Sequence, residues 1–204
     1  MITTDPTFAP YRGKRFVDLA IIVMVAVPAL VIAASCAVAI RFTSPGPILF
    51  RQQRVGRNGA EFTILKFRTM RDGDNPIIPD AAVITRVGSV LRRFSIDELP
   101  QLLNVARGEM SVVGPRPTLA YQVRRWSPTQ RNRLAVRPGL TGLAQINGRN
   151  SLSWPERLEF DVEYVRRQSF RTDLRILART GIALLGGEGT GATAADDPIA
   201  QVDR

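Results

Sequence analysis

Residues 19–40 read LAIIVMVAVPALVIAASCAVAI, which is 22 consecutive residues without a charged side chain. Basic residues stand at both ends of this run, Lys14 and Arg15 before it and Arg41 after it. A helix that spans a bilayer needs about 20 predominantly apolar residues. The stretch therefore predicts a membrane helix, with a short arm before it and a larger domain after it.

Three arrangements compete for this run. A cleaved signal peptide also has a basic start and an apolar core, and residues 33–36, AASC, resemble a lipoprotein cleavage site. However, the run continues past Cys36 to Ile40, and no disulfide pattern follows it. A single-pass anchor would carry its excess of positive charge on one flank. Here both flanks are basic, with arginine or lysine at positions 12, 14, 15, 41, 51, 54 and 57.

A re-entrant hairpin, with both ends on the cytoplasmic side, is favoured over the other two arrangements. Pro28 lies inside the run, where its missing N–H removes a helical hydrogen bond and kinks or breaks the helix. Arms of roughly 10 to 13 residues would reach about 15 to 20 Å, or about half of a hydrocarbon core ~30 Å thick. The spanning helix and the signal peptide stay open as alternatives.

The composition limits the chemistry. The chain has 204 residues and a net charge of +10, which favours anionic lipids, nucleic acids or phosphorylated small molecules as partners. The sequence contains no histidine, which excludes His-based catalysis and His-ligated zinc. Its single cysteine, Cys36, excludes a disulfide within the chain. Carboxylates, cations and an oxygen-bound metal remain, which points to Mg²⁺-type phosphate chemistry.

The rest of the chain predicts an α+β fold that is mostly helical, with one β-hairpin and several amphipathic interfacial helices. Alternating segments at 48–53 and 61–67 flank Arg57-Asn58-Gly59, and such an Asn-Gly step is typical of a hairpin turn. Helical periodicity follows at 86–107, with a break near Ser95, and again at about 119–125, 153–168 and 173–185. Residues 108–117 and 137–150 are expected to be loops.

The last of these helices carries arginines at positions 171, 175 and 179, a spacing that suits an anionic membrane surface or, equally, the solvated face of a core helix. The predicted organisation has four parts. They are a flexible N-terminal arm at 1–13, a re-entrant membrane helix at 14–42, a catalytic domain on the cytosolic face at 43–185, and a disordered tail at 186–204.

Asp97-Glu98 is the most reactive-looking pair in this domain. The structural interpretation is that Ser95 and Glu98 form a capping box at the start of a helix, where the helix dipole also favours acidic residues. Periodicity alone favours capping over catalysis. However, Pro100 does not suit a regular helix here, and irregular turns occur often at active sites.

Several cations could surround an anionic ligand. Lys66 and Arg68 lie on or just after the second hairpin strand, and Arg116 and Arg137 are each held next to proline. A guanidinium matches the geometry of phosphate oxygens, although each cation taken alone is more often a surface charge. Asp161 could bind a ligand or form a structural ion pair with a neighbouring arginine.

Six ordered blocks over about 150 residues resemble the bacterial sugar transferases, the monotopic polyprenyl-phosphate phosphoglycosyl transferases that prime exopolysaccharide, capsule and glycan assembly. The blocks are KRFVD at 14–18 before the apolar run, TSPGPILFRQ at 43–52, KFRTM at 66–70, DELPQLLNV at 97–105, GEMSVVGPRP at 108–117, and RPGLTG at 137–142 with QINGRN at 145–150. One departure concerns the membrane helix, because the family commonly breaks it with Ser-Pro and this chain has Val27-Pro28.

The resemblance implies a sugar-phosphate transfer in two steps. Asp97 would attack the β-phosphorus of a UDP-sugar and expel UMP, and undecaprenyl phosphate would then take the phosphosugar from Asp97. Glu98 would assist as a base or in positioning Mg²⁺, for which Asp97 is the implied ligand. The implied substrate-binding and phosphate-binding residues are Lys66, Arg68, Arg116, Arg137, Gln145, Asn147, Arg149 and Asp161.

The resemblance also implies a location at the bacterial inner membrane with the catalytic domain on its cytoplasmic face. The expected partners are a UDP-sugar, undecaprenyl phosphate and the lipid bilayer, with a hexose such as galactose or glucose favoured over an N-acetylated sugar. No nucleic-acid partner is expected, because no nucleic-acid fold signature is present and aromatics are not interleaved with the arginines. A non-catalytic basic membrane module is the alternative, and the residues favour no particular oligomeric state.

Overall fold

The computed structural model describes residues 6–71, 83–148 and 152–185. Within them the chain is mostly helical and contains two small sheets. The helices are α1 Lys14–Thr43, α2 Arg86–Arg93, α3 Gln101–Arg107, α4 Ala120–Arg124, α5 Pro128–Arg131, α6 Leu143–Ile146, α7 Trp154–Arg167 and α8 Phe170–Leu185. The strands are β1 Leu49–Val55, β2 Glu61–Phe67, β3 Ser111–Val113 and β4 Gly139–Thr141. The predicted tail at 186–204 and the predicted site residue Arg149 lie outside the described residues.

The membrane segment forms one continuous helix of 30 residues, α1, with Pro28 inside it. Within the described residues it is the one helix long and apolar enough to cross a membrane, and only 11% of its most apolar window is buried. The break expected at Pro28 is not observed as a gap between two helices. A proline removes a single hydrogen bond, and the bonds on either side of it can continue the helix.

Both ends of α1 are held by the rest of the chain. At its start, Asp18 Oδ1 accepts hydrogen bonds of 2.9 Å from Ser111 Oγ and from the Val112 N–H. Near its end, Cys36 and Ile40 are buried in a cluster with side chains of β2 and α2. The middle of the helix is exposed, at Val23, Met24, Val27, Leu30 and Val31.

The predicted β-hairpin is confirmed. β1 and β2 pair antiparallel, with Phe50 opposite Lys66. The turn between them contains Asn58 at φ 57° and Gly59 at φ 83°, both in the left-handed region that an Asn-Gly step tolerates. The hairpin therefore places Lys66 near the end of a well-defined strand.

The loops expected at 108–117 and 137–150 were wrong in part, because they contain β3, β4 and α6. β3 and β4 form a parallel pair in which Ser111 lies opposite Gly139. The two segments approach so closely that a Cβ at Gly139 would lie 2.1 Å from the amide nitrogen of Gly114. Elements of three or four residues are too short to give a periodic signal, so the sequence showed only their glycines and prolines.

The core joins the hairpin, the parallel pair and the last two helices. Its main cluster contains Phe62, Ile64, Val105, Met110, Val112, Val113, Ala135, Val136, Tyr164, Val165 and Ile176. Asn104, which is fully buried, ties α3 to β2. Its side chain accepts from the Leu65 N–H at 3.1 Å and donates to the Thr63 carbonyl at 2.7 Å. This link fixes the strand that carries Lys66 against the helix that follows Asp97.

The final helix, α8, has one buried face and one exposed face. Asp173 and Ile176 are 1% exposed, whereas the large apolar side chains of Phe170, Leu174 and Ile182 are 54%, 57% and 72% exposed. Apolar residues on the outer face beside the arginines agree with an amphipathic helix. Its contact with a membrane surface stays a prediction.

Candidate active site

The Asp97–Glu98 pair lies in a strained turn between α2 and α3. Ser95 has φ 56° and ψ 22°, in the left-handed region, which costs a non-glycine residue about 1–2 kcal/mol. A short 3₁₀ helix, Ile96–Glu98, follows it. This turn buries both carboxylates, with Asp97 7% and Glu98 8% exposed.

The capping-box interpretation of this turn was wrong. Ser95 makes no capping hydrogen bond, and its buried hydroxyl has no hydrogen-bond partner among the described residues. Glu98 instead forms ion pairs with two cations from elsewhere in the chain. The local sequence pattern was present, but the left-handed backbone at Ser95 turns its side chain away from that role.

Two cations clamp Glu98. Lys66 Nζ lies 2.6 Å and Arg116 Nη2 lies 2.9 Å from Glu98 Oε1, so one carboxylate oxygen takes both contacts. Burial alone would raise the pKa of Glu98, but the charges and hydrogen bonds of Arg116 and Lys66 outweigh it and lower this pKa to about 2. Glu98 is therefore ionised at neutral pH and is a weak base, which favours a positioning role.

Asp97, the neighbouring carboxylate, is not clamped. Its buried Oδ1 has no hydrogen-bond partner among the described residues. Burial raises the pKa of Asp97, the charge of Lys66 opposes that effect, and the negative charge of Glu98 adds to it. An ionised carboxylate that is desolvated and free of hydrogen bonds is a better nucleophile than one held by its neighbours.

Arg54 is a further cation at this site, and sequence reasoning did not single it out. It extends from β1, and its Nη1 donates to the carbonyl of Pro117 at 3.4 Å, one residue from Arg116. Burial, and then the charge of Arg116, lower the pKa of Arg54 to about 10, so it stays protonated at neutral pH. Strand alternation was the available signal, because positions 54 and 66 fall on the same face of the hairpin.

Two of the predicted phosphate-binding arginines are engaged elsewhere. Arg68 Nη2 donates to the carbonyl and to the hydroxyl of Ser44, each at 2.8 Å, just after α1. Arg137 Nε donates to the Gly108 carbonyl at 2.6 Å, at the C-terminal end of α3. These contacts give both side chains a structural task, and their binding of a substrate stays a prediction.

The predicted nucleotide-binding stretch lies in and just after α6. Both polar atoms of the Gln145 amide are buried without a hydrogen-bond partner among the described residues. Asn147 is exposed, and its amide donates to the Leu143 carbonyl at 2.8 Å. An unsatisfied buried amide agrees with a site that a ligand would complete. The structure does not bring either residue into a contact with Asp97.

Asp161 forms the structural ion pair that the sequence left open. Its Oδ2 lies 2.5 Å from Arg133 Nη2, and the two side chains are only 3% and 2% exposed. Burial raises the pKa of Asp161 to about 6, although the charges of Arg133 and Arg116 act against this rise. This contact gives Asp161 a structural partner, and its binding of a substrate stays a prediction.

Residues 10–187 match the family described as bacterial sugar transferase. The chain belongs to this family. It is 44% identical over 180 residues to the uncharacterized sugar transferase EpsL of Bacillus subtilis, covering 86% of this chain and 89% of that protein. It is 45% identical over 196 residues to the UDP-glucose:undecaprenyl-phosphate glucose-1-phosphate transferase of Caulobacter vibrioides, covering 88% and 72%.

A third relative of this sugar transferase is the exopolysaccharide production protein ExoY of Sinorhizobium fredii, with 43% identity over 161 residues, 69% of this chain and 71% of that protein. All three comparisons extend over most of both chains. The match to the family model, over residues 10–187, includes Asp97, Glu98 and the cations around them.

Within the described residues no group of three or more His, Cys, Asp or Glu side chains is placed to hold a metal ion. Asp97 fits a single-ligand role, because its Oδ1 is an orphaned carboxylate oxygen. Mg²⁺ is commonly held by one or two carboxylates together with substrate phosphates and water. Glu98 fits this role less well, since its Oε1 already contacts two cations.

Proposed function

We propose that this sugar-phosphate transferase moves a sugar 1-phosphate from a UDP-sugar to undecaprenyl phosphate, releases UMP, and so begins the assembly of an exopolysaccharide or related glycan. The observation that carries the mechanism is the contrast between two adjacent buried carboxylates, Glu98 clamped by cations and Asp97 free. The relatives named UDP-glucose:undecaprenyl-phosphate glucose-1-phosphate transferase support this class of donor and acceptor.

The reaction proceeds in two displacements at one phosphorus atom. First, a carboxylate oxygen of Asp97 bonds to the β-phosphorus of the donor, the bond from that phosphorus to the bridging oxygen breaks, and UMP leaves. Next, a phosphate oxygen of undecaprenyl phosphate bonds to the same phosphorus, and Asp97 leaves as a carboxylate. A covalent intermediate of this kind splits one difficult step into two easier ones.

The surrounding cations stabilise charge on the transferred group. Lys66, Arg116 and Arg54 outnumber the two carboxylates of the site, so an entering pyrophosphate meets a surplus of positive charge. Glu98 acts by holding Lys66 and Arg116 in place, since a carboxylate whose pKa is about 2 accepts a proton poorly at neutral pH. Mg²⁺, held by Asp97 and by donor phosphate oxygens, would neutralise further charge on the phosphoryl group.

The membrane helix is proposed to be re-entrant, with the catalytic domain on the cytoplasmic face of the inner membrane. A straight helix of 30 residues would be about 45 Å long. Contacts at both Asp18 and Ile40 tie its two ends to the same domain, while its apolar middle is exposed. Both features support a helix whose ends stay on one side and whose middle enters the lipid.

Cysteine labelling tests this topology. In a Cys36→Ala background, single cysteines at Arg12 and Arg51 flank the helix on its two sides. We expect an impermeant maleimide to label both in inverted membrane vesicles and neither in intact cells whose outer membrane has been permeabilised. Labelling of one site from each side would establish a spanning helix and overturn the re-entrant proposal.

A direct assay tests the reaction. Purified protein in detergent, with Mg²⁺, undecaprenyl phosphate and a panel of UDP-hexoses and UDP-N-acetylhexosamines, is expected to release UMP with a hexose as the best donor. Intact-protein mass should increase by one sugar phosphate when the acceptor is omitted, and Asp97→Asn should lose both signals. Glu163→Gln is the matched control, since Glu163 is a surface carboxylate paired only with Arg167. Absence of UMP release with every donor would favour the basic membrane module instead.

A further inference from the structure

We propose that Arg133 is a positioning residue, one that sets the backbone of the 115–117 turn so that Arg116 reaches Glu98. The inference rests on the proposed function, because it concerns the same site. It assigns to Arg133 and Asp161 a task that differs from substrate binding.

The backbone of the turn Pro115-Arg116-Pro117 has few groups that can form hydrogen bonds. Its two prolines have no N–H, so the backbone there is fixed mainly by what its carbonyl oxygens accept. Each of the three carbonyls has a donor. Gly139 N–H donates to Pro115 at 2.8 Å, Arg133 Nη2 to Arg116 at 2.7 Å, and Arg54 Nη1 to Pro117 at 3.4 Å. Arg133 therefore holds the central residue of the turn.

Arg133 is itself fixed on several sides. It is 2% exposed, its Nη2 pairs with Asp161, and its guanidinium carbon lies 4.8 Å from the centre of the Trp126 ring. A guanidinium packed in this way cannot follow movements of the turn. Because the side chain of Arg116 then extends to Glu98 at 2.9 Å, the buried unit is linked to the catalytic pair through one residue.

Stability alone does not account for this arrangement. Arg133 Nε and Nη1, and Asp161 Oδ1, are buried without hydrogen-bond partners among the described residues. When a buried ion pair leaves some of its hydrogen bonds unmade, its replacement by apolar side chains is often neutral for the stability of the protein or increases it. The hydrogen bond from Arg133 to the Arg116 carbonyl gives this buried ion pair a function. The pair's own incomplete hydrogen bonding does not explain why it is there.

The test removes the charges together, so that neither is left buried alone. The double variant Arg133→Met/Asp161→Leu should fold with an unfolding temperature close to that of the parent protein. We expect its kcat/KM for the UDP-sugar to fall about 10- to 100-fold. Arg131→Met is the matched control, an arginine two positions away that lies outside this unit.

A cycle with Arg116→Ala separates positioning from simple structural support. If Arg133 acts through Arg116, adding the double change to Arg116→Ala should lower kcat/KM by at most about threefold. That is, the triple variant should be about as slow as Arg116→Ala alone. Unchanged kcat/KM in the folded double variant, or losses that multiply in full, would overturn the inference.

If the double variant does not fold, Arg133→Lys takes its place in the same cycle. It keeps a positive charge opposite Asp161 but lacks the fork that reaches a second acceptor. The same non-additivity with Arg116→Ala is expected, and additivity would again contradict the inference. Failure of the proposed function looks different, because the parent protein would then release no UMP with any donor, or Asp97→Asn would leave UMP release intact, whatever happens at Arg133.

Discussion

Asp97 and Asp173 are both buried aspartates, but their surroundings are opposite. Asp173, on α8, accepts hydrogen bonds from Tyr11 at 2.8 Å, Lys14 at 2.6 Å and Tyr164 at 2.8 Å. Asp97 has an oxygen with no partner among the described residues. The carboxylate of Asp173 is fully committed to holding the start of α1 against α7 and α8, whereas that of Asp97 is available to react.

The comparison separates two uses of a buried charge. Where every lone pair is directed at a fixed donor, a carboxylate stabilises one arrangement of helices. Where a carboxylate is desolvated and left without donors, folding free energy is given up, and such groups concentrate at functional sites. The two regions can be tested against each other with the same chemical change, from carboxylate to amide.

The largest effect is expected from Asp97→Asn. The amide cannot form the covalent intermediate, so kcat should fall by at least about 1,000-fold. The unfolding temperature should stay the same or rise, because a raised pKa shows that folding already disfavours the charge that the change removes. UMP release and thermal unfolding in detergent measure the two quantities. A large loss of stability would mean that Asp97 has structural partners after all.

Asp173→Asn should give the reverse result. The change leaves Lys14 buried opposite a neutral amide, and breaking a buried pair typically costs about 3–5 kcal/mol. The free energy of unfolding from denaturant titration measures this loss. Glu163→Gln, in an exposed pair, is the control and should change stability by no more than about 0.5 kcal/mol. Equal stability of the Asp97 and Asp173 variants would contradict the assignment of a structural role to Asp173 and a reactive role to Asp97.

Glu98→Gln tests how the two neighbouring carboxylates interact. Burial raises the pKa of Asp97, so the acid limb of the rate profile should lie at higher pH than an aspartate with an ordinary pKa would give, since the proposed attack needs Asp97 ionised. Glu98 contributes to that rise through its negative charge. Its removal also leaves Lys66 and Arg116 free to act on Asp97, so the limb should move to lower pH while the rate falls about 10- to 100-fold. A limb that moves to higher pH would contradict the assigned electrostatics.

The smallest effect is expected at Ser95. A glycine adopts its left-handed backbone without strain, which favours Ser95→Gly, but glycine also gains freedom in the unfolded state. The net gain should be about 0.5 kcal/mol in the free energy of unfolding. Turnover should change little, because the Ser95 hydroxyl makes no described hydrogen bond. A loss of stability would show that this hydroxyl has a partner that the structure does not contain.

Local signals in the sequence were enough for the longer elements. The Asn-Gly turn predicted the hairpin, and Ser153 with Glu156 predicted the start of α7, where Ser153 N–H donates to Glu156 at 2.7 Å. The charge-free run at 19–40 predicted a long apolar helix, and α1, Lys14–Thr43, contains the whole run. The short strands β3 and β4 were not predicted. Three residues are too few to show a hydrophobic period, and the pairing of the two strands joins distant parts of the chain.

The roles of the predicted site residues stay predictions, and the structure adds how some of these residues are arranged. The motifs named Asp97, Lys66 and Arg116, and the structure brings the two cations together on Glu98. What the sequence could not show is which acid each arginine meets, because ion pairs such as Arg133 with Asp161 join residues 28 positions apart. Arg54 and Arg133 were missed for this reason, and so was the commitment of Arg68 to Ser44.

The packing of α1 against the turn that contains Asp97 and Glu98 has a consequence for the proposed lipid substrate. Ile96 and Leu99, on either side of the catalytic pair, pack against the buried cluster that contains Cys36 and Ile40 of α1. In the proposed re-entrant arrangement, the height of Asp97 above the hydrocarbon is therefore set by the helix that enters it. Drawing a polyprenyl chain out of a bilayer would cost about 0.8 kcal/mol for each methylene exposed to water. An enzyme anchored at this depth can meet the acceptor phosphate where it already lies, and leave the tail in the lipid throughout.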